Sequence, residues 1–398
     1  MKYSSLVNRI SPSDELDGDP WEVHELACER AASGTDILML SIGQEADEST
    51  PDIIVQTAIQ SLEQGDHHYT DVRGTPELLN SIANYHSNLT AQQVTADNCT
   101  VYAGAQNALY AAAQVLLEAG DEVIVSEPYY TTYAATFSSS GARLVTVPVT
   151  RQNDYQLHTN DIAAAVNSST RAIVLNTPNN PMGTCYSAAD FSSIVKLCVE
   201  NQIWLILDTV YLDIVDSIKS DLPHTIPGAD DVLLTIGSLS KSHRMTGWRI
   251  GWVVAPPTAA KHLSHLSMCM HYGLPPFVMK AAQVAIEKST QTPQVVRETI
   301  NRRRQLATPV LKTMRKEATL HDSGQGMFML IDVTALKISA HTFSMRLLDD
   351  YQVAVLPCDG FGPAGKKLVR VGLCVDDAKL TLACAKIVEC VAEFADAL

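Results

Sequence analysis

Ser238-Leu239-Ser240-Lys241-Ser242-His243-Arg244-Met245-Thr246-Gly247-Trp248-Arg249-Ile250-Gly251 follows directly on the apolar run Val232-Leu233-Leu234-Thr235-Ile236. A short, continuous apolar run predicts a strand buried on both faces, as in a parallel sheet. Open α/β sheets bind ligands beyond the carboxyl ends of their strands, so Ser238, Ser240 and Lys241 are expected at such an edge. A lysine flanked by hydroxyls and followed by Arg249 combines an amine nucleophile with donors suited to a phosphate dianion. Taken alone, the segment also reads as a solvated basic loop.

Upstream segments repeat the pattern. Asn176-Thr177-Pro178-Asn179-Asn180-Pro181-Met182-Gly183 follows the run Ala172-Ile173-Val174-Leu175, although Asn-Pro material is mostly turn chemistry. Asp208 ends the run Ile203-Trp204-Leu205-Ile206-Leu207, with Tyr211 just beyond. A carboxylate at the end of a buried strand is unfavourable unless it is paired, and a protonated pyridine nitrogen is one suitable partner. Further runs at Glu122-Val123-Ile124-Val125 and Leu144-Val145-Thr146-Val147 predict two more strands. Thr50-Pro51-Asp52 predicts an N-cap with proline at the first helical position, opening an amphipathic helix through Leu62.

The fold class is therefore α/β, a large domain with a mostly parallel sheet flanked by helices. After about residue 290 the texture changes. A charged helical pattern spans Arg297 to Arg304, and strand runs Met327-Phe328-Met329-Leu330-Ile331 and Lys367-Leu368-Val369-Arg370-Val371 alternate with helices. The expected organisation is a large domain over 46–290, a smaller α+β domain over 291–398, and an N-terminal segment, 1–45, that joins the smaller one.

Composition narrows the function classes. The 398 residues are 46% hydrophobic and carry a formal charge of −15, which disfavours a polyanionic partner such as nucleic acid. No apolar run is long enough for a transmembrane helix, and the polar start is no secretory signal, so the expectation is a cytoplasmic protein. The 9 cysteines include no CxxC pair and read as small buried hydrophobes, and the 12 histidines show no ligand spacing, so no metal is expected. Gly360-Phe361-Gly362-Pro363-Ala364-Gly365 fits GxGxxG literally but leads into a strand-like run, which argues against dinucleotide binding.

With Tyr69, Gly104-Ala105-Gln106, Tyr130, Asn180, Asp208, Tyr211, Lys241, Arg249 and Arg370 in this order, the chain resembles the fold type I pyridoxal 5′-phosphate enzymes. The resemblance is to the aspartate aminotransferase superfamily, and it runs from about residue 20 to the C-terminus. It implies that Lys241 carries the cofactor as a Schiff base and moves the proton. Asp208 would hold the pyridinium, while Asn180 and Tyr211 would donate to the phenolic oxygen and Tyr130 would stack on the ring. Ser238, Ser240, Arg249, Ala105 and Gln106 would grip the phosphate, the last two through backbone or side chain at a helix start. Arg370 would clamp the substrate α-carboxylate bidentately, with Asn180 and the Gly43 backbone beside it. Tyr69, in His67-His68-Tyr69-Thr70-Asp71, would reach the phosphate of a neighbouring subunit, which implies a homodimer with shared active sites.

The implied activity is amino-group transfer from an amino acid to a 2-oxo acid, with ping-pong kinetics. The predicted helix Ala105 to Glu118 has no Lys or Arg, which makes a dicarboxylic donor less expected. Within the superfamily the segments around Tyr69, Lys241 and Phe361-Gly362 look most like arginine:pyruvate transaminases. Asp14, Glu15, Asp17, Asp19 and Glu22 could then meet a cationic side chain at the pocket mouth. Thr209 departs from relatives that carry an acid after the cofactor aspartate. Rival readings are a C–S β-eliminating lyase on the same scaffold and a non-catalytic cofactor-binding regulator module.

Overall fold

The computed structural model describes residues 2–11, 21–46, 48–151, 155–215 and 221–398. Helix Glu22–Ala32 leads to a two-residue strand, Leu38–Met39 (β1). The main sheet is built from Cys99–Tyr102 (β2), Glu122–Glu127 (β3), Arg143–Pro148 (β4), Thr170–Asn176 (β5), Trp204–Asp208 (β6), Leu233–Ser238 (β7) and Gly251–Val254 (β8). Its spatial order is β2-β8-β7-β6-β5-β3-β4. The pairs β7–β6, β6–β5, β5–β3 and β3–β4 are parallel, and β8 runs antiparallel to both its neighbours.

Both faces of this sheet are covered, which is why the strand runs are apolar without alternation. Val123, Val125, Val174 and Ile206 pack with Leu109 of helix Ala105–Leu116 and Leu263 of helix Pro257–Met270. Ile124, Ile173, Leu175 and Leu205 face the other way, against Phe191 and Ile194 of helix Ala188–Asn201. Each fully buried aliphatic side chain contributes roughly 1.5–3 kcal/mol. The edge strand β4 behaves differently: its outer positions are exposed and only Val147 is fully buried.

The C-terminal part forms strands Thr319–His321 (β9), Phe328–Asp332 (β10), Val353–Ala354 (β11), Leu356–Pro357 (β12) and Leu368–Gly372 (β13). Four of them make an antiparallel sheet ordered β12-β13-β10-β9, covered by helices Thr292–Leu311, Ala340–Tyr351 and Asp377–Asp396. Its core includes Ile300, Met329, Phe343, Val369, Val371 and Ile387. The N-terminal segment joins this layer. β1 pairs in parallel with β11, and Val23 and Ala27 pack against Leu348 and Ala354.

Three expectations need correction. Thr50 does not cap the helix at Asp52–Glu63; Pro51 occupies the cap position, and the Thr50 hydroxyl instead donates to the Arg244 carbonyl at 2.7 Å and accepts from Trp248 Nε1 at 3.0 Å. That hydroxyl ties the helix entry to the lysine loop. Strands β2 and β8 are additional to those read from the sequence; each is only four residues long, and β8 opens on Gly251 at the end of the lysine segment. Cys28 and Cys269 are exposed and Cys185 is half-buried, whereas the other cysteines are interior as expected.

Candidate active site

The sheet register brings the functional side chains to one edge. Asn176, the last residue of β5, lies opposite Asp208, the last of β6. Ser238, the last of β7, lies opposite Gly251 at the start of β8, and Tyr102 at the end of β2 pairs with the same glycine. Because β8 is antiparallel, it begins where its neighbours end. Arg249, just ahead of β8, therefore arrives beside Gly104 and Ser238. The approach is too close for side chains: a Cβ on Gly104 would stand 2.6 Å from Arg249 Nη2, and one on Gly251 would stand 2.7 Å from the Ala105 nitrogen.

A cavity of about 360 Å³ opens at this edge. Its lining includes Lys241, Asp208, Asn180, Tyr211, Tyr130, Ala105, Gln106, Ser238, Ser240, Arg249, Gly43 and Arg370. Of the residues singled out from the sequence, Tyr69 stands apart: it is 85% exposed and packs edge-on against Tyr272, with ring centroids 5.2 Å apart.

Asp208 is buried at the floor of the cavity. Its Oδ2 accepts from Tyr133 Oη at 2.6 Å and its Oδ1 from the Val210 amide at 3.2 Å. Burial pushes this carboxyl above its ordinary range, although both donors oppose the shift. Thr209 turns its hydroxyl to the Ile236 carbonyl at 2.7 Å, so it stitches β6 to β7.

A second network joins the substrate side. Arg370 Nη1 donates to Asn180 Oδ1 at 2.9 Å, Asn180 Nδ2 donates to Tyr211 Oη at 3.1 Å, and Arg370 Nη2 donates to the Ser41 carbonyl at 2.8 Å. The guanidinium lies over the Phe328 ring at 4.1 Å, and Arg370 Nε is buried with no hydrogen-bond partner among the described residues. The Asn180 amide donates to Asn176 Oδ1 at 2.6 Å, and Asn176 Nδ2 donates to the Asp208 carbonyl at 3.1 Å.

Of the groups expected to grip a phosphate, the two serine hydroxyls lie together, and Gln106 is left with its backbone amide. Ser238 Oγ lies 2.9 Å from Ser240 Oγ and accepts from the Ser240 amide at 3.1 Å. The Gln106 side chain is committed elsewhere: Nε2 donates to Thr136 at 2.7 Å and Oε1 accepts from Thr132 at 2.6 Å. That leaves the Ala105 and Gln106 backbone amides, the first of a helix and so without intrahelical partners, as the anion donors.

Lys241 Nζ donates to the Gly43 carbonyl at 2.7 Å. Burial is the main reason its amine is lowered from 10.5 to about 8, and the positive charges of Arg370 and Arg249 add to it. An amine so placed has a far larger neutral, nucleophilic fraction near physiological pH than an ordinary lysine, although the protonated form still predominates below pH 8. The cofactor-free folded state therefore binds fewer protons than the unfolded chain between pH 8 and 10.5, so its stability rises through that window. The destabilisation is full below pH 8 and gone above 10.5. Lys241→Met should thus be more stable than the parent at pH 7 by about 3 kcal/mol, an advantage that shrinks towards pH 10.5. Urea midpoints at both pH values measure it, and a pH-independent difference would contradict the assignment.

Three residues that sequence reasoning missed matter here. Tyr133 supports Asp208, Asn176 fixes both Asn180 and the Asp208 backbone, and Trp21 lines the cavity. Asn176 was within the quoted strand-end segment, but nothing local distinguishes it from a turn asparagine. Of the entry acids, Glu22 is absent from the described lining of the cavity and lies 2.9 Å from His341 Nε2, and Asp14, Glu15, Asp17 and Asp19 lie outside the described residues. The literal GxGxxG segment forms short 3₁₀ turns before β13 and opens no helix.

These groups suit pyridoxal 5′-phosphate: a buried carboxylate for a cationic ring nitrogen, Asn180 and Tyr211 for the phenolic oxygen, an anion cradle at Ala105, Ser238 and Arg249, and a desolvated amine. The family model for aminotransferase class I and II matches residues 35–387. An arginine–pyruvate transaminase of Pseudomonas aeruginosa is 41% identical over 393 residues, covering 99% of each chain. An aspartate aminotransferase of Pyrococcus horikoshii is 30% identical, over 90% of this chain and 92% of that one. Among solved structures, the aspartate aminotransferase of Thermus thermophilus with maleate superposes with a TM-score of 0.90 at 25% identity, covering 98% of this chain and 100% of that one. The chain belongs to the class I and II aminotransferases, pyridoxal 5′-phosphate enzymes that move an amino group from an amino acid to a 2-oxo acid.

Proposed function

We propose that this aminotransferase takes the α-amino group of L-arginine, or of a similar non-acidic amino acid, and delivers it to pyruvate. The observation that carries the reading is the convergence of Lys241, Asp208, Asn180, Tyr211, Arg249 and Arg370 on one cavity. Lys241, Arg249 and Arg370 are the cations among its described lining residues, and each already has a partner in the scheme, which leaves none for a distal carboxylate. The arginine–pyruvate relative supports the donor. An adjoining cavity of about 680 Å³ shares Gly43, Gln44 and Lys241 with the first and is bordered by Glu45 and Glu48. Glu45 is held by Arg303 at 2.9 Å, while Glu48 pairs with Arg244 but keeps 49% of its side chain exposed, a position open to a cationic substrate end.

The cofactor supplies the carbonyl carbon that accepts the amino group and the cationic ring that draws electrons from the substrate Cα. Arg370 and Asn180 orient the α-carboxylate so that the Cα–H faces Lys241. Lys241 Nζ, in its neutral form, removes that proton and later returns it. Asp208, held by Tyr133 and Val210, keeps the proton on the ring nitrogen. Tyr69, exposed on one protomer, serves the phosphate site of a second copy, so the working unit is a homodimer in the cytoplasm. Residues 46–290 hold the cofactor, and 291–398 with 1–45 carry the substrate arginine.

A panel of arginine, alanine and aspartate with pyruvate as acceptor tests the donor. Arginine is expected to show the highest kcat/KM and aspartate the lowest; arginine below alanine would overturn the proposal.

A further inference from the structure

The carboxylate clamp rests on a residue that comes from neither the main sheet nor the loops at its edge. The Ser41 carbonyl receives Arg370 Nη2 at 2.8 Å, and Ser41 is completely buried. Its hydroxyl donates to Met39 Sδ at 3.2 Å and lies 2.8 Å from His24 Nδ1. A hydroxyl has one proton, so with that proton on sulfur its oxygen accepts from the imidazole, which fixes the Nδ1–H tautomer. The other ring nitrogen is then an acceptor, and Cys28 Sγ stands 3.6 Å from Nε2, positioned to donate. Donors and acceptors run without conflict from Cys28 through His24 and Ser41 to Met39. The same imidazole packs edge-on against Trp21, with centroids 5.9 Å apart, and Trp21 lines the active-site cavity.

Accepting Arg370 as the α-carboxylate clamp, we infer that His24 is a positioning residue for substrate binding, pinning Ser41 so that its carbonyl fixes the Arg370 guanidinium. Helix Glu22–Ala32, which bears both Trp21 and His24 at its start, is thereby a structural wall of the substrate site. Burial, and to a lesser degree the positive charge of Arg370, lowers the His24 pKa against the opposing pull of Glu25, which keeps the imidazole in the neutral form this arrangement needs. A guanidinium held by the Asn180 hydrogen bond and the Phe328 ring face alone would rotate in its plane, and the bidentate geometry that a carboxylate demands would be lost.

The test uses the holoenzyme and compares His24→Ala, His24→Asn and Arg370→Lys. His24→Ala should raise KM about five- to tenfold for donor and acceptor alike, since both present the same α-carboxylate, with kcat changed less than about twofold. His24→Asn, whose amide nitrogen takes the place of Nδ1–H, should restore KM to within about twofold. Dissociation constants of a simple monocarboxylate inhibitor should follow the same order, independently of turnover. Unchanged KM and inhibitor binding in His24→Ala, or an asparagine variant no better than alanine at equal thermal stability, overturns the inference. Arg370→Lys separates the two levels: if it leaves KM unaltered the clamp reading itself fails, whereas a raised KM there with an unaffected His24→Ala refutes only the role of His24.

Discussion

Lys241→Ala is expected to lower kcat by about 10⁴-fold and to abolish covalent retention of the cofactor after borohydride reduction. The magnitude follows from removing the one base placed to move the substrate Cα proton, for which correctly positioned acid–base groups contribute up to about that factor. Retention of cofactor by other contacts is expected to persist, because Asp208, Arg249, Ser238 and the Ala105 amide do not depend on the lysine side chain. The variant should therefore still bind pyridoxal phosphate reversibly, without the mass increment that reduction gives the parent. Mass spectrometry after borohydride treatment distinguishes the cases: a covalent adduct surviving in Lys241→Ala would mean another amine carries the group. The depressed pKa of about 8 bears on the same residue, since it makes covalent capture of the aldehyde by the cofactor-free protein accelerate as pH rises towards 8 and level off above it.

Asp208→Asn should reduce kcat/KM by about 10²- to 10⁴-fold, corresponding to the roughly 3–5 kcal/mol lost when one partner of a buried ion pair is neutralised. The fold is expected to survive, because the asparagine oxygen can keep the bond from the Val210 amide while its NH2 group donates to the Tyr133 hydroxyl oxygen, which accepts as well as donates. What disappears is the negative charge beneath the ring nitrogen. Cofactor affinity, measured by equilibrium dialysis, should weaken together with the rate, and activity within tenfold of the parent would remove Asp208 from its assigned place. Tyr133 enters the same argument from the other side. Its phenol is raised in pKa chiefly by burial and by the adjacent carboxylate, so it remains a proton donor to Asp208 at every working pH.

Much of this site is legible along the chain because each strand announces its own end. The runs at 172–175, 203–207 and 232–236 are apolar on both faces, and the polar segments that follow them have to lie at the sheet edge. Asn180, Asp208 and Lys241 are found this way, and the pattern of anchors identifies the chemistry. The support behind them is not legible. Tyr133 sits in a helical turn beyond Tyr130 and looks like any core tyrosine, and its contact with Asp208 spans 75 positions of sequence. Ser41 and Arg370 are separated by 329 positions, with His24 earlier still, and they meet only because β1 joins β11 at the far sheet. For Gln106 the sequence leaves open whether backbone or side chain is the donor, and Thr132 and Thr136, which hold both ends of the side-chain amide, leave the backbone.

By itself, then, the sequence determined the α/β class, because burial periodicity and strand-end polarity are local properties of the chain, and its ordered anchors carried the family resemblance that implies the cofactor. Tertiary structure alone decided the rest: the antiparallel insertion of β8 that delivers Arg249 to Gly104, the exposure of Tyr69 away from the cavity, and the chain of bonds through His24 to Arg370. Those depend on which strands become neighbours and in what register, a choice made by the packing of whole layers rather than by any one segment.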